Sequence, residues 1–194
     1  MQSLQAQLLS GIDLYREVIL KRMAEARESV WISTANVKEM YIERDGVYRS
    51  ILELFAELCG RGVELRLLHA ELPSRPFRAS FDKMKALWSG GLHLKICPRV
   101  HFKAVIIDGA WIYLGSANLT GAGLGAKQET KRNFELGFVT EDFDVIDRAT
   151  ALFQSVWSGA ECGTCKLRDV CPDPIGPELT KPRPRRARAR LRAR

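Results

Sequence analysis

Six residues in one segment have the types and the spacing to act on a phosphate ester. The segment follows the pattern H-x-K-x4-D-x6-G-S-x-N, whose defined positions are His101, Lys103, Asp108, Gly115, Ser116 and Asn118. An imidazole can attack phosphorus or transfer a proton, and ammonium, hydroxyl and carboxamide groups can donate to phosphate oxygens. A chance match somewhere in the chain is expected about once in several hundred thousand sequences, so the pattern favours a catalytic site.

The first two polar residues of the pattern are separated by one position. Residues two apart on a strand project from the same face, so His101 and Lys103 would place an imidazole beside a fixed cation. Phe102 would point into the core, and the apolar run 104–107 would hold the strand rigidly. After a turn, the G-S-x-N sequence would return its hydroxyl and carboxamide to this pair, with the glycine allowing a close backbone approach.

Asp108 belongs to the pattern, but its position favours a mainly structural role. Gly109 follows it, and Asp-Gly is a preferred sequence for the tight turn of a β-hairpin. Single histidines on strands are usually structural or surface residues, and we interpret His69 and His93 in that way. The lysine, serine and asparagine would also be ordinary residues if they stood alone, so their interpretation depends on His101.

The complete pattern resembles the HKD motif of the phospholipase D superfamily at every signature position. The similarity continues through 116–124 and into Asn133-Phe134-Glu135-Leu136-Gly137, which resembles an acidic element found after the motif in many members. It extends over about residues 13–157, and its specificity lies in 101–137. The resemblance therefore implies both a fold and a reaction.

The implied reaction needs no metal. One histidine attacks phosphorus to form a phosphohistidine, and a histidine from a second motif protonates the leaving oxygen and then activates water. Lysine and asparagine donors stabilise the transition state, so no cofactor is expected for catalysis. Glu135 resembles the acid that orients a histidine through Nδ1, and we expect it to serve the histidine of the opposite motif. The alternative interpretation is that Glu135 is a buried or edge-strand glutamate without a catalytic role.

Only one such motif occurs in the chain, whereas the implied reaction uses two imidazoles. A twofold-symmetric homodimer would bring two copies of His101 together, and the resemblance includes short single-motif nucleases that pair in this way. The leading hypothesis is an endonuclease of low sequence specificity, with DNA favoured over RNA. The alternatives are a phospholipase D or phosphatidyl transferase that acts on lipids, and an inactive nucleic-acid-binding module.

The remaining sequence predicts alternating helices and strands. Helical periodicity covers about 12–28, 47–58, 77–88 and 143–157, the last capped by Asp142. Strands are predicted at 29–37, 63–69, 92–98, 101–108, 110–115 and 134–140, with a loop at 117–132. This order favours an α/β fold, specifically a phospholipase D-like α-β-α sandwich with a mixed β-sheet, over a catalytic domain at 1–158.

A cysteine-rich segment is predicted at 159–177. Its three cysteines have the spacing C-x2-C-x5-C, and two intervening residues let the first pair reach one ion, which favours structural zinc. The fourth ligand would be Cys97, Cys59 or a histidine, from this chain or from a partner chain, with Cys97 our choice to join Cys162, Cys165 and Cys171. The spacing also resembles part of the C-x6-C-x2-C-x5-C iron–sulfur loop of some DNA glycosylases, although Ser155 stands at its first position. Ordinary or redox cysteines are the third interpretation.

The net charge of +7 comes from the C-terminal tail, which we place at 178–194. Eight of the 30 basic residues lie in 181–194, which leaves 22 against 23 acids elsewhere. Such a run is typical of a disordered tail, and counterion release makes it suited to nucleic acid. A solubility tail or a membrane-surface patch is the alternative. The candidate nucleic-acid-binding residues are Arg183, Arg185, Arg186, Arg188, Arg190 and Arg192.

The sequence contains no run of 18 or more apolar residues, so no transmembrane segment is predicted. The N-terminal residues lack the basic start and the small-residue cleavage site of a signal peptide. We therefore expect a cytoplasmic protein. The five cysteines are an odd number in such a reducing compartment, which makes a disulfide framework an unfavourable interpretation.

Overall fold

The computed structural model describes residues 4–175, which contain nine strands. They are β1 (Gln7–Ser10), β2 (Ser29–Thr34), β3 (Tyr41–Arg44), β4 (Val47–Ser50), β5 (Glu64–His69), β6 (Leu92–Ile96), β7 (Lys103–Ile107), β8 (Trp111–Gly115) and β9 (Leu136–Thr140). Seven of them form one sheet in the order β1-β9-β8-β7-β2-β5-β6, and β3 pairs with β4 in a separate hairpin.

The helices lie between and after the strands. The first, α1, has α-helical geometry over Ile12–Leu14 and π-type hydrogen bonding over Tyr15–Met23. The others are α2 (Ile51–Gly60), α3 (Arg75–Phe81) and α4 (Phe143–Ser158). Shorter helical turns occupy Leu87–Gly91, Glu129–Lys131 and Arg168–Val170.

The large sheet is mixed and is covered by helices on both faces. Strands β2, β5 and β6 pair in parallel, whereas the other neighbours pair antiparallel. Successive residues of β7 face opposite layers: Val105 and Ile107 pack in the core with α1 and α2, and Ala104 and Ile106 pack in the core with α4. The predicted α-β-α sandwich with a mixed sheet is confirmed.

Side-chain caps define where two of the main helices begin. The Asp142 carboxylate accepts a hydrogen bond from the backbone N–H of Val145 at 3.1 Å, so the predicted cap of α4 is confirmed. The Ser50 hydroxyl accepts from the N–H of Leu52 at 3.1 Å and begins α2. Val47, which periodicity assigned to that helix, lies instead in β4, since the cap stands three residues further on.

Other predicted bounds also differ from those observed. Strand β1 is only four residues long with one buried side chain, Leu9, so its sequence carries no alternating pattern. The helix predicted at 12–28 ends at Met23, and the one predicted at 77–88 ends at Phe81 before a separate turn. In both cases the apolar spacing continues beyond the helix because the following loop also packs on the core.

The Asp108-Gly109 turn joins β7 to β8 as predicted, and Asp108 has a positive φ of 53°. Its carboxylate accepts hydrogen bonds from the backbone N–H groups of Arg27, Glu28 and Ser29 at 2.8–3.1 Å. These contacts fasten the end of β7 to the start of β2. The motif aspartate therefore supports the sheet from the turn, five residues beyond Lys103.

We predict that Asp108→Ala lowers the free energy of unfolding by roughly 1.5–3 kcal/mol more than Asp45→Ala does, because only Asp108 gathers three backbone donors. Both aspartates precede a glycine and have nearly equal positive φ values, 53° and 54°, so the backbone cost of alanine is matched. Urea denaturation of the two variants measures the difference. Equal losses would contradict the structural role of the carboxylate.

No helix within residues 4–175 combines the length and the apolar composition that crossing a membrane requires.

Candidate active site

The polar residues of the motif converge at one edge of the large sheet, where four strand ends meet. The start of β7 pairs with the end of β8 through Lys103 and Gly115, and Gly115 in turn pairs with Gly137 near the start of β9. On the other side of β7, Ala104 pairs with Ser33 near the end of β2. Residues that are distant in sequence are therefore neighbours at this edge.

His101 and Lys103 lie beside each other, although only Lys103 belongs to β7. The Lys103 ammonium donates to the backbone oxygen of His101 at 2.7 Å and lies 3.4 Å from its Nδ1. His101 is exposed and Phe102 packs against the core shared with α4, so the backbone between the two polar residues is anchored. The predicted pairing of an imidazole with a fixed cation is observed.

Asn118 is oriented by the end of β2. Its Oδ1 accepts hydrogen bonds from the Thr34 hydroxyl at 3.1 Å and from the backbone N–H groups of Ala35 and Asn36 at 3.0 and 3.2 Å. Three donors assign the carbonyl side of the amide to the protein interior. The Nδ2 group is then the part of the side chain that can donate to a phosphate oxygen.

Ser116 and Glu135 form a second polar pair at the same edge. The Ser116 hydroxyl donates to Glu135 Oε2, and its oxygen accepts from the backbone N–H of Leu136 at 3.1 Å. The other carboxylate oxygen, Oε1, accepts from Asn133 Nδ2 at 3.1 Å. The carboxylate is therefore held on both oxygens by residues of its own chain.

A buried tyrosine explains the glycines beneath this pair. A β-carbon on Gly115 would stand 2.3 Å from the Tyr113 hydroxyl oxygen, and one on Gly137 would stand 2.4 Å from the Tyr113 ring. The ring thus fills the space that side chains would need. Burial raises the pKa of Tyr113 to about 12, so its hydroxyl stays neutral, and it accepts from the N–H of Ala117 at 3.3 Å.

Sequence reasoning found most of this arrangement but not all of it. The structure brings His101, Lys103, Ser116, Asn118 and Glu135 to one edge, whereas Asp108 lies at the opposite end of β7. Five residue steps along a strand separate it from Lys103 by roughly 17 Å. The supporting residue Thr34 was not predicted, and for Asn133 the sequence predicted membership of the acidic element but not its hydrogen bond to Glu135. Thr34 lies 84 positions from its partner, so local sequence carries no signal for it.

Of the other two histidines, His69 is buried beneath this edge and His93 lies away from it. His69 ends β5 and is buried, its Nδ1 lies 2.8 Å from the backbone oxygen of Glu71, and burial lowers its pKa. His93 is exposed on β6, opposite Arg66 of β5. Both positions agree with ordinary structural or surface histidines.

The predicted metal and nucleic-acid residues lie elsewhere. One cavity, between the end of β6 and α4, is lined by all four predicted metal ligands: Cys97, Cys162, Cys165 and Cys171. Within residues 4–175, however, no three potential metal-binding side chains already meet closely enough to hold an ion. The six tail arginines, from Arg183 to Arg192, lie outside the described residues.

Comparison with known proteins adds the family to this geometry. Residues 19–157 match the family model described as "Cardiolipin synthase, PLD-like domain". The chain is 30% identical over 131 residues to cardiolipin synthase 1 of Staphylococcus aureus (strain MRSA252). The aligned region covers 60% of this chain and 25% of that protein. The chain thus spans about a quarter of the length of this curated relative.

Two solved structures share the fold over nearly their whole length. NucT from Helicobacter pylori superposes with a TM-score of 0.58, and Nuc from Salmonella typhimurium, a phospholipase D family member, superposes with 0.55. Each is 19% identical, and each match covers 79% of this chain and 95% of the other. With the matched motif at one sheet edge, the chain belongs to the phospholipase D superfamily, whose enzymes act on phosphodiesters.

Proposed function

We propose that this protein is a metal-independent endonuclease that cleaves nucleic acid through a phosphohistidine and works as a homodimer. The observation that carries this proposal is the meeting of one imidazole, one ammonium and one oriented carboxamide at a single edge of the sheet. DNA is the favoured substrate over RNA. The low sequence specificity follows from a site whose donors address phosphate oxygens and no base edge.

Lys103 and Asn118 suit the binding of the phosphate group. Lys103 contributes a positive charge beside His101, and the contacts of Asn118 Oδ1 turn its Nδ2 donor outward. Donors that are already oriented stabilise the charge that develops on the non-bridging oxygens without a reorganisation cost. This chain's own cations would then provide the neutralisation that other nucleases obtain from a metal ion.

The second imidazole cannot come from the same chain. Besides His101 the chain has two histidines, and His69 lies two strands away from β7 in the sheet, roughly 10 Å by strand spacing. It is also buried and engaged with the Glu71 carbonyl. His93 lies one strand further and within β6. A twofold axis beside His101 is the economical way to supply a second imidazole.

The contacts of His101 also favour a partner. An ammonium can only donate, so a neutral His101 whose Nδ1 faces Lys103 carries its proton on Nε2, and that nitrogen then has no lone pair for attack on phosphorus. The acid that protonates a leaving group is the imidazolium, in which both ring nitrogens are protonated. A nucleophilic Nε2 instead needs the proton on Nδ1 and an acceptor for it. Glu135 of the partner subunit would provide that acceptor, and two identical chains could then take the two roles.

In the proposed reaction, Nε2 of one His101 attacks phosphorus as the bond to the leaving oxygen breaks, and His101 of the partner subunit gives its proton to that oxygen. The partner's His101 then removes a proton from water, whose oxygen attacks phosphorus. The N–P bond breaks, and the nucleophilic imidazole is restored.

An apolar surface beside Glu135 suits the dimer interface. Phe134 is fully exposed, Leu136 is exposed after it, and Leu8 of the neighbouring edge strand β1 is also exposed. Large apolar side chains grouped beside a polar site mark a surface that binds something. A second copy placed here would cover them and bring its own site close to this one.

A lipid-directed phosphatidyl transferase is the second candidate, and the match to the cardiolipin synthase domain model favours it. The basic tail and the match over 95% of the compact proteins NucT and Nuc favour the nuclease. The cytoplasm remains the proposed compartment, in keeping with five cysteines that are all free.

We predict that His101→Ala lowers cleavage of plasmid DNA in EDTA by roughly 10³-fold or more, because both the nucleophile and the acid are removed. His93→Ala, which removes an exposed histidine outside the site, should cleave like the parent protein. Gel assays measure both rates. A parental rate in His101→Ala would contradict the assignment, and turnover of phosphatidylglycerol vesicles without DNA cleavage would favour the lipid enzyme.

We predict that Phe134→Asp shifts the protein from dimer to monomer and lowers DNA cleavage, because a buried charge at the interface costs several kcal/mol. Phe143→Asp is the matched control, since Phe143 is exposed at the start of α4. Analytical ultracentrifugation measures the two dissociation constants. A parent protein that is fully active as a monomer would contradict the dimer itself.

We predict that changing the six tail arginines, Arg183 to Arg192, to glutamine weakens DNA binding and flattens its salt dependence. The slope of log K against log salt should become shallower by roughly 0.9 for each phosphate that the tail no longer neutralises. Fluorescence anisotropy over a salt series measures this slope at constant chain length. An unchanged slope would exclude the tail from binding.

A further inference from the structure

A cavity of about 280 Å³ lies between the end of β6, the end of α4 and the segment after α4. Four of the five cysteines in the chain line it: Cys97, which directly follows β6, and Cys162, Cys165 and Cys171 from the segment after α4. The first is separated from the other three by the whole β7–β9 region. Only folding brings this set together, and the proposed hydrolysis uses none of it.

The backbone around these cysteines forms tight turns of the kind that present thiolates to a metal. The N–H of Val100 donates to the Cys97 carbonyl at 2.9 Å, and the N–H of Arg168 donates to the Cys165 carbonyl at 3.0 Å. The N–H of Cys165 similarly donates to the Cys162 carbonyl at 3.4 Å, which closes the C-x2-C turn. The cysteines of both segments line the same cavity.

Donors to the thiols themselves support the same arrangement. The backbone N–H of Leu167 donates a hydrogen bond to the Cys165 sulfur, and the Arg99 guanidinium lies beside it. A backbone N–H two residues beyond a cysteine also faces Cys97, from Arg99. N–H groups at this spacing stabilise metal-bound thiolates.

We propose that Cys97, Cys162, Cys165 and Cys171 bind one metal centre through four thiolates, either a zinc ion or an iron–sulfur cluster. Four thiolates complete the coordination of either group. Among the described residues the four cysteines line one cavity without meeting closely enough to hold an ion, so the proposed site requires their side chains to rotate inward. Three basic side chains, Lys95, Arg99 and Arg168, line the cavity together with the carboxylates of Glu161 and Asp173, so the basic groups outnumber the acidic ones by one.

The remaining cysteine shows what an ordinary thiol looks like in this fold. Cys59 lies on α2, packs against the core on the opposite face of the sheet, and donates to the Gly91 carbonyl at 3.1 Å. Ser155, at the position where an iron–sulfur loop would have its first cysteine, lines the cavity as well, and Cys97 faces it across the same space.

The proposed metal centre would give the segment after α4 a structural role. Cys97 stands four residues before His101, and the turn it begins ends at the buried Val100. A metal bound there would fasten the segment after α4 to the turn that leads into the catalytic motif. It would therefore act as a positioning device for His101 and take no part in hydrolysis.

The test compares the full-length, untagged protein with two serine variants, purified without oxygen and dialysed against a chelator. We expect about one zinc ion per chain without visible absorption, or iron and sulfide with visible absorption. Elemental analysis should find at least tenfold less metal in Cys97→Ser and the parental content in Cys59→Ser. Circular dichroism confirms that the compared samples are folded.

A second measurement uses the parent protein alone, so that it does not depend on the folding of a variant. Maleimide labelling with peptide mapping should show the four cavity cysteines protected together and released together after metal removal. A parent protein without stoichiometric metal, equal retention in Cys97→Ser, or equal loss in Cys59→Ser would overturn the proposal. The nuclease proposal is judged separately, by DNA cleavage in His101→Ala.

Discussion

The antiparallel register of β7 against β8 is the constraint on which the site depends. Lys103 stands opposite Gly115, so His101, just before β7, and Ser116, just after β8, lie at the same sheet edge. A slip of one residue would turn every β7 side chain to the other face, exchanging the two core layers. At the far end of β7, the Asp108 carboxylate accepts from three backbone N–H groups and helps to hold β7 in register with its other neighbour, β2.

The register also explains the distribution of small and polar residues around the site. Tyr113 occupies the space beneath the edge, and Gly115 and Gly137 leave room for its ring. The chain can therefore carry Ser116 and Glu135 at the surface directly above a rigid, uncharged core. Thr34 and the neighbouring backbone of β2 orient Asn118 from the other side. The groups proposed to bind phosphate are thus fixed before a substrate arrives.

A single chain provides only part of the proposed chemistry. It presents one exposed imidazole, His101, whose Nδ1 faces the Lys103 ammonium. It also presents the Glu135 carboxylate, which Ser116 and Asn133 of the same chain already hold. The exposed Phe134 beside that carboxylate links the incomplete site to a surface that suits a second copy. The four-cysteine cavity adds a separate constraint at the turn before His101. Because the proposed catalytic residue Glu135 and the proposed interface residue Phe134 are adjacent in the chain, catalysis and assembly would depend on the same short segment.

The sequence by itself determined the features that are local. The spacing H-x-K, the Asp-Gly turn and the cap at Asp142 each depend on neighbouring residues, so the motif, the β7–β8 hairpin and the start of α4 could be predicted. The tertiary structure alone decided contacts between distant segments, namely Thr34 with Asn118 and Asp108 with the start of β2. For Cys97 the sequence offered several possible partners and ligands, and the fold places it at the same cavity as Cys162. It also decided the short strands β1, β3 and β4, because pairing partners, and not their own periodicity, stabilise four-residue strands.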